Sequence, residues 1–226
     1  MKLLMTAALA ACLSLVAPAA MAAGDVTAFV RAIKQDNDQA LRGLLSRGFD
    51  PNTPTDNGGS GLHMALQEGS LKVVSVLLDS PKLKAESRNA AGESPLMMAA
   101  LKGQLDVAKR LIALDADVNK PGWTPLHYAA TNGQTAIIQL LLDNHAFIDA
   151  QSPNGTTPLM MAASYGSPEA VKLLLESGAD FTMRNQQQMN AMDFAQRASR
   201  PDAVELLTQA ERYRARQRPG SPASQW

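Results

Sequence analysis

The apolar residues of this chain recur in two short helical patterns with a turn between them. After position 124 the apolar side chains are spaced i, i+3 and i+4, which predicts a helix with one narrow apolar face formed by Leu126, Ala129 and Ala130. A second helix is predicted near Thr135 to Asp143, with an inner face formed by Ile137, Ile138, Leu141 and Leu142. Helices this short are unstable alone, so the pattern predicts helix pairs that cover one another's apolar faces.

The ends of the first helix carry recognisable signals. Thr124 is a favourable N-cap because its hydroxyl can accept a hydrogen bond from a free backbone N–H, and Pro125 suits the first helical position, where no donor is needed. Gly133 can adopt the left-handed conformation that ends a short helix. The segment therefore predicts a helix of about two turns, followed closely by the second helix.

This unit is repeated along the chain. Equivalent starts lie at offsets of 33, 34, 30, 33 and 33 residues, at Thr27, Ser60, Ser94, Thr124, Thr157 and Asn190. A glycine follows nine residues after each of the four middle starts, at Gly69, Gly103, Gly133 and Gly166. The short offset places a three-residue deletion before Thr124 and predicts a shortened turn around 120–122. The long offset predicts one extra residue in the turn between Leu78 and Ser94.

The repeated motif resembles the ankyrin repeat. Its features are Thr-Pro-Leu-His at 124–127 with Ala129 and Ala130, the mid-repeat glycine, the leucine triplet at 140–142, and Gly-Ala-Asp at 178–180. The resemblance covers residues 25 to 211. It implies an all-α solenoid of about six helix-turn-helix repeats including two caps, near 25–57, 58–91, 92–121, 122–154, 155–187 and 188–211. The polar Lys34, Gln35 and Asp36 of the first unit, and Ser199 in place of glycine in the last, fit terminal caps.

The N-terminus has the composition of an export signal. Lys2 precedes an apolar run from Leu3 to Val16, and Ala20-Met21-Ala22 places small residues where a signal peptidase cleaves. We therefore expect a signal peptide at 1–22, cleavage after Ala22 and a periplasmic protein of the bacterial exported type. An alternative is a lipoprotein anchored through Cys12, which ends the box-like sequence Leu9-Ala10-Ala11-Cys12. The apolar run is too short to span a bilayer.

Composition and charge exclude several classes of protein. The 226 residues carry 21 basic and 21 acidic side chains, so the net charge of zero excludes a protein that binds nucleic acid over its whole surface. The single cysteine lies in the predicted signal peptide. Once the signal is removed, the mature chain has no thiol for catalysis, for a disulfide or for a thiolate metal site.

The C-terminal segment differs in character from the repeats. Four arginines, at 212, 214, 216 and 218, precede a stretch rich in proline, glycine and serine, which predicts a basic flexible tail at 212–226. Without Lys2 and these four arginines, residues 23–211 carry a net charge of about −5. The tail is either a solvated end or a basic hook for anionic lipid headgroups or an acidic partner.

The sequence offers no residues for catalysis. The resemblance implies that His63 and His127, at the histidine position of the repeat, bridge backbone groups of adjacent turns. No nucleophile motif, phosphate loop or metal-spaced cluster occurs, so we expect no enzyme activity, no cofactor and no metal. The methionines, among them the pairs at 97–98 and 160–161, are interpreted as core residues, with an oxidant-accepting role as the alternative.

The remaining function is binding, and the resemblance implies where it occurs. In ankyrin-like stacks the turn tips and first helices line a concave strip, which here includes Asn57, Gly59, Gln67, Glu68, Glu93, Leu101, Lys102, Trp123, Thr131, Asn132, Asn154, Thr156, Ser164, Tyr165, Gln187, Met189 and Arg197. Trp123 and Tyr165 are of the types that dominate interface energetics. Alternatively, Trp123 packs over the shortened turn.

Two functions fit such a strip. The first is a non-catalytic scaffold in the periplasm that binds another exported protein, in a setting such as envelope or oxidative stress defence. The second is an immunity-like inhibitor that neutralises a basic partner protein or toxin. For either we expect a monomer that binds no nucleic acid, with membrane contact only through the basic tail or N-terminal lipidation.

Overall fold

The computed structural model describes residues 23–55 and 58–217. The predicted signal peptide, including Cys12, lies outside the described residues, as do Asn57 and residues 218–226. Twelve α-helices occupy the described part of the chain. They are α1 (Ala23–Lys34), α2 (Asp38–Ser46), α3 (Gly61–Glu68), α4 (Leu71–Leu78), α5 (Pro95–Lys102), α6 (Leu105–Ala113), α7 (Pro125–Thr131), α8 (Thr135–Asp143), α9 (Pro158–Tyr165), α10 (Pro168–Glu176), α11 (Ala191–Arg197) and α12 (Pro201–Gln217).

The helices form six antiparallel pairs stacked in two rows. Each odd-numbered helix packs on the next odd-numbered one, from α1 to α11, and each even-numbered helix packs on the next even-numbered one, from α2 to α12. The described residues contain no β-strand, only an isolated bridge between Pro54 and Ser60. The predicted all-α solenoid of helix-turn-helix repeats is therefore confirmed. Within the described ranges no helix is both long and apolar enough to cross a bilayer.

The core is built from the same positions in every repeat. The residue two places after the N-cap of each of the four middle repeats is fully buried, at Leu62, Leu96, Leu126 and Leu159. Alanines three and four residues further on, about one helical turn, let the first helices approach closely, as at Ala129 and Ala130. In α8 the side chains of Ile137, Ile138 and Leu141 are buried, while Leu142 is only partly buried. The apolar faces predicted from the sequence are therefore the ones that stack.

The mid-repeat glycines do not all have the same role. Gly69, Gly103 and Gly133 adopt positive φ angles of 77°, 71° and 65°, as the predicted helix ends require. Gly166 instead has φ −75°. A side chain there would collide with the backbone carbonyl of Ala130 in the preceding repeat, so this glycine is needed for close packing.

Polar side chains in the loops between repeats join three of the repeats to the next one along the chain. Asn119 accepts a hydrogen bond from the amide of Phe147 at 2.8 Å and donates to the carbonyl of His145 at 2.7 Å. Asn52 bonds the backbone of residues 82 and 84 in the same way, at 2.8 Å each. Asp149 accepts from the amide of Asp180 at 3.0 Å. These bonds fix the register of successive repeats without using apolar surface.

The ends of the stack differ in one respect from the sequence prediction. Ser199 has φ 55°, so it takes the left-handed conformation in place of glycine, as expected for the last repeat. The last helix, however, does not stop at Glu211. It continues to Gln217, so the first six residues of the predicted flexible tail are helical, and Arg214 lies 3.5 Å from Asp180 and 5.4 Å from the ring centre of Phe181.

Candidate functional site

The turns between repeats form a row of short hairpins beside the first helices. Four of them, at 55–59, 89–93, 152–156 and 185–189, have the same backbone hydrogen bond. In each, the amide of the first residue donates to the carbonyl of the last, at 2.7 to 3.1 Å. The last residue of each hairpin directly precedes the N-cap of the next first helix. The hairpins and the exposed side of the first helices together line a groove, which we call the concave groove.

The fifth turn, at 120–123, is the shortened one. The three-residue deletion removes the hairpin here, and the ammonium group of Lys120 donates to the carbonyl of Trp123 at 3.0 Å. This carbonyl is equivalent to the one that accepts the hairpin amide in the other four turns. Burial lowers the pKa of Lys120, with the nearby Arg88 acting in the same direction. One lysine side chain thus replaces a backbone turn.

Histidine side chains hydrogen-bond the last residue of two of the hairpins and so hold these turns in place. The amide and hydroxyl of Thr124 lie 3.2 and 2.9 Å from Nδ1 of His127, and Nε2 donates to the carbonyl of Thr156 in the next repeat at 2.9 Å. His63 has the same bonds, with Nε2 2.9 Å from the carbonyl of Glu93. Burial lowers the pKa of His63, and lowers that of His127 from 6.5 to about 4. Both are neutral bridges between turns, as predicted.

Methionines take the histidine position in two other repeats. The amide of Ser94 donates to Sδ of Met97 at 3.3 Å, and the amide of Thr157 donates to Sδ of Met160 at 3.4 Å. A thioether can accept these bonds but cannot donate one to the next repeat. These two methionines are 1% exposed, so they belong to the core as interpreted from the sequence.

The floor of the groove is a stripe that the sequence interpretation missed. It consists of five residues, each four places after the N-cap of the first helix of a repeat. They are Met64, Met98, Tyr128, Met161 and Phe194. Tyr128 donates its hydroxyl to the carboxylate of Glu93 at 2.8 Å, and the other four line pockets. The recurrence of large apolar residues at repeat spacing was the available signal. We call these five residues the groove floor.

The larger of two pockets in the groove brings together most of the predicted residues of the C-terminal half. Its volume is about 500 Å³. The predicted residues that line it are Trp123, Asn154, Thr156, Ser164, Tyr165, Gln187, Met189 and Arg197; Met161, Asn185, Phe194 and Ala198 complete it. Tyr165 is 64% exposed, whereas Thr156 is only 2% exposed and borders the pocket as a buried residue. We call this the C-terminal pocket.

The ring of Trp123 serves two purposes in this arrangement. It is half-buried and lies edge-on to the ring of His127, with centres 5.2 Å apart and planes at 75°. It also lines the C-terminal pocket beside Tyr165. The contact with His127 holds the ring at the edge of the pocket, and a binding role for Trp123 stays a prediction.

The second pocket lies toward the N-terminal half, with a volume of about 440 Å³. Predicted residues Gly59, Gln67, Glu93, Leu101 and Lys102 line it, together with Thr55, His63, Met64, Asn89 and Met98. The carboxylate of Glu93 is held from both sides, by the hydroxyl of Tyr128 at 2.8 Å and the amide group of Asn89 at 2.7 Å. Glu93 is therefore part of a fixed network.

Three predicted residues lie outside both pockets. Glu68 is exposed at the end of α3. Thr131 donates its hydroxyl to the carbonyl of His127 at 2.7 Å, within its own helix. Asn132 donates to the carbonyl of Leu101 at 2.8 Å and joins two repeats. The last two have structural partners. Among the described residues, no group of three His, Cys, Asp or Glu side chains is placed to hold a metal ion.

The families and proteins to which this chain is similar agree with this architecture. The family model described as ankyrin repeats (3 copies) matches residues 29–121, 62–152 and 147–217. Ankyrin repeat and SAM domain-containing protein 6 of Rattus norvegicus is 31% identical over 109 residues, which are 46% of this chain and 12% of that protein. The nuclear factor NF-kappa-B p105 subunit of Gallus gallus is 34% identical over 125 residues, 52% of this chain and 13% of that protein. The chain thus spans about an eighth of the length of these relatives.

Solved structures cover more of the chain. The human ASB11 ankyrin repeat domain superimposes with a TM-score of 0.72 and 28% identity, over 80% of this chain and 82% of that chain. A chain of the complex between the predatory endopeptidase Bd0816 of Bdellovibrio bacteriovorus and the immunity protein Bd3460 matches with a TM-score of 0.70 and 29% identity. This match covers 80% of the present chain and 97% of that chain.

Proposed function

We propose, because this chain belongs to the ankyrin repeat family, that it is a non-catalytic protein-binding module that holds a segment of its partner in the concave groove. Ankyrin repeats mediate protein–protein interactions, and the fold leaves the choice of partner to the groove surface. The observation that carries the proposal is the groove floor together with the rings of Trp123 and Tyr165 beside it. Flexible thioethers beside exposed rings accept apolar side chains of varied shape.

A contrast between the groove and the loops that lead into its turns supports this proposal. In the groove, large apolar side chains line two pockets. In the loops, polar side chains such as Asn52 and Asn119 are already bonded to the next repeat. A partner therefore finds unoccupied apolar surface and free donors in the groove.

The test is photo-crosslinking from inside and outside the groove. A p-benzoylphenylalanine in place of Tyr165 is expected to capture a partner, whereas the same group in place of the exposed Lys172 on α10 captures none of it. The captured protein is then purified and its affinity measured by calorimetry. Replacement of Trp123 or Tyr165 by alanine is expected to weaken binding by about 2 kcal/mol each, or roughly 30-fold.

The matched control is Tyr213→Ala. Tyr213 is 68% exposed, close to the 64% of Tyr165, but lies on α12 outside the groove. We expect this variant to bind the partner with unchanged affinity. If capture is equal from Lys172, or if Tyr165→Ala binds as well as Tyr213→Ala, the groove is not the binding surface.

We propose in addition that the protein is exported and binds its partner in the periplasm as a monomer. The support is the N-terminal sequence alone, in which a basic start, a 14-residue apolar run and Ala20-Met21-Ala22 precede the first helix. Mass spectrometry of the protein from its native host is expected to find a mature N-terminus at Ala23. A lipidated N-terminus at Cys12 would support the lipoprotein alternative instead.

A second candidate function is inhibition of the partner. The support is the net charge of about −5 on residues 23–211 and the similarity to a chain of the complex between a Bdellovibrio endopeptidase and an immunity protein. If the captured partner is an enzyme, equimolar addition of this protein is expected to stop its turnover, less effectively at high salt. A partner that stays fully active in the complex contradicts the inhibitor function and leaves the scaffold function.

A further inference from the structure

Among the described residues that line the C-terminal pocket, Arg197 alone is charged. It ends α11 and is exposed, and its Nη1 donates to the sulfur of Met189 at 3.0 Å. A thioether is a weak acceptor, so this bond satisfies little of the guanidinium's capacity. Within the described ranges no carboxylate lies within 4 Å of Arg197.

The nearest acid along the helix is already engaged. Asp193, one turn before Arg197 on α11, accepts from the amide of Asn190 at 2.9 Å and lies 3.5 Å from the guanidinium of Arg184. It therefore caps its own helix and pairs with another cation. The positive charge of Arg197 is left facing the pocket.

The rest of the pocket wall supplies further donors and no acid. Its described lining contains no aspartate or glutamate. In the part of the chain that the structure describes, the indole N–H of Trp123, the hydroxyl of Tyr165 and the side-chain amide of Gln187 make no hydrogen bond. The N-terminal pocket differs, because Glu93 and Lys102 line it together. Of the two pockets formed by the described residues, the C-terminal one has its cation on a wall without an acid.

The walls of this pocket are held in place before any ligand arrives. Lys120 fixes the carbonyl of Trp123, and the ring of Trp123 lies against that of His127. Met161 and Phe194 form the floor beside Arg197. Preorganised walls reduce the entropy lost on binding, so a small anchor side chain is enough to gain affinity.

From this arrangement we infer that the C-terminal pocket receives an aspartate or glutamate side chain of the partner protein, flanked in sequence by apolar residues. The carboxylate pairs with the guanidinium of Arg197 and the apolar neighbours lie on Met161 and Phe194. The free carboxylate of a chain end has the same chemistry, and the experiment below separates it from a side chain. The inference rests on the proposed function and specifies the partner at the same site.

Capped peptides test this without the partner. The probes are acetyl-Gly-Leu-Glu-Leu-Gly-amide, the same peptide with glutamine for glutamate, and the glutamine peptide with a free C-terminal carboxylate. The readout is the indole N–H signal of Trp123 in a Trp226→Phe chain, which leaves a single indole. We expect the glutamate peptide to bind roughly fivefold or more tightly than the glutamine amide. Arg197→Gln should abolish this difference, whereas Lys102→Gln, in the N-terminal pocket, should preserve it.

Three results would overturn the inference. They are equal affinity for the glutamate and glutamine amides, preference for the free C-terminal carboxylate, and no shift of the indole signal at roughly 10 mM peptide. Failure here is distinguishable from failure of the proposed function. Crosslinking from Tyr165 can succeed while the peptides show no preference, and the groove then binds proteins without a carboxylate anchor.

Discussion

Replacing His127 by methionine converts the fourth repeat to the arrangement found in the third and fifth. The sulfur can still accept the amide of Thr124, as Met97 and Met160 accept theirs. The variant loses the donor to the carbonyl of Thr156, but that carbonyl keeps the amide of Ser152 at 2.9 Å. At pH 7.5 the cost is therefore that of one hydrogen bond, about 1 kcal/mol.

The effect of acid has the opposite sign. His127 has a folded-state pKa of about 4 and an ordinary pKa of 6.5, because burial disfavours the charged ring. The unfolded chain therefore takes up a proton before the folded one does. The stability linked to this residue is complete above pH 6.5 and is lost as the pH falls toward 4, by about 2.5 kcal/mol at pH 4.5.

The two effects together predict a crossover. His127→Met is expected to be less stable than the parent at pH 7.5, equal to it near pH 6, and more stable by about 1.5 kcal/mol at pH 4.5. The assay is urea denaturation followed by far-ultraviolet circular dichroism at pH 7.5, 6.0 and 4.5. His63 contributes in the same direction in both proteins, so the comparison cancels it.

The reasoning fails if the two proteins lose stability in parallel as the pH falls. That result would show that His127 is protonated in the folded state at little cost, and that the ring is not the neutral bridge described here. The variant His63→Met offers an independent repetition, because burial also lowers the pKa of His63.

Three shorter predictions follow from the packing of the turns and helices. Lys120→Met leaves a turn carbonyl without its donor and should lower the free energy of unfolding by about 1 to 2 kcal/mol, measured by urea denaturation. Gly166→Ala should cost about 2 kcal/mol or more in the same assay, because the new methyl collides with a backbone carbonyl. Gly43→Ala should be neutral or stabilising, because its methyl makes only an ordinary contact with the flexible side chain of Arg47. Under mild peroxide, peptide mass spectrometry should find Met189 oxidised well before Met160, since Met189 is half-buried at the pocket and Met160 is 1% exposed; equal rates would contradict the placement of Met160.

Several features follow from the sequence because they depend on local spacing. The second helix expected near Thr135 to Asp143 has those bounds. The three-residue deletion gives the shortened turn at 120–123, and the histidines form the bridges that the family resemblance implies. In these cases the same short motif recurs, so each copy supports the interpretation of the others.

Other features depend on which side of a helix faces solvent, which spacing alone leaves open. Met98 is buried, as the sequence indicates, although it also borders a pocket, whereas Met161 is only partly buried and lines the C-terminal pocket. Gly166 has the sequence position of a helix-ending glycine and a packing role instead. Charge predicts a flexible tail at 212–217, but these residues are helical, because alanine, arginine and glutamine are strong helix formers.

The alternation of histidine and methionine along the stack has a consequence for how the molecule comes apart. His63 ties the second repeat to the third and His127 ties the fourth to the fifth, while the methionine repeats lack this tie. Protonation of the two histidines therefore weakens every other joint and does not act on the joints between. The breaking points fall two repeats apart, so the chain is expected to separate in acid into blocks of paired repeats, whose amide hydrogens exchange as units.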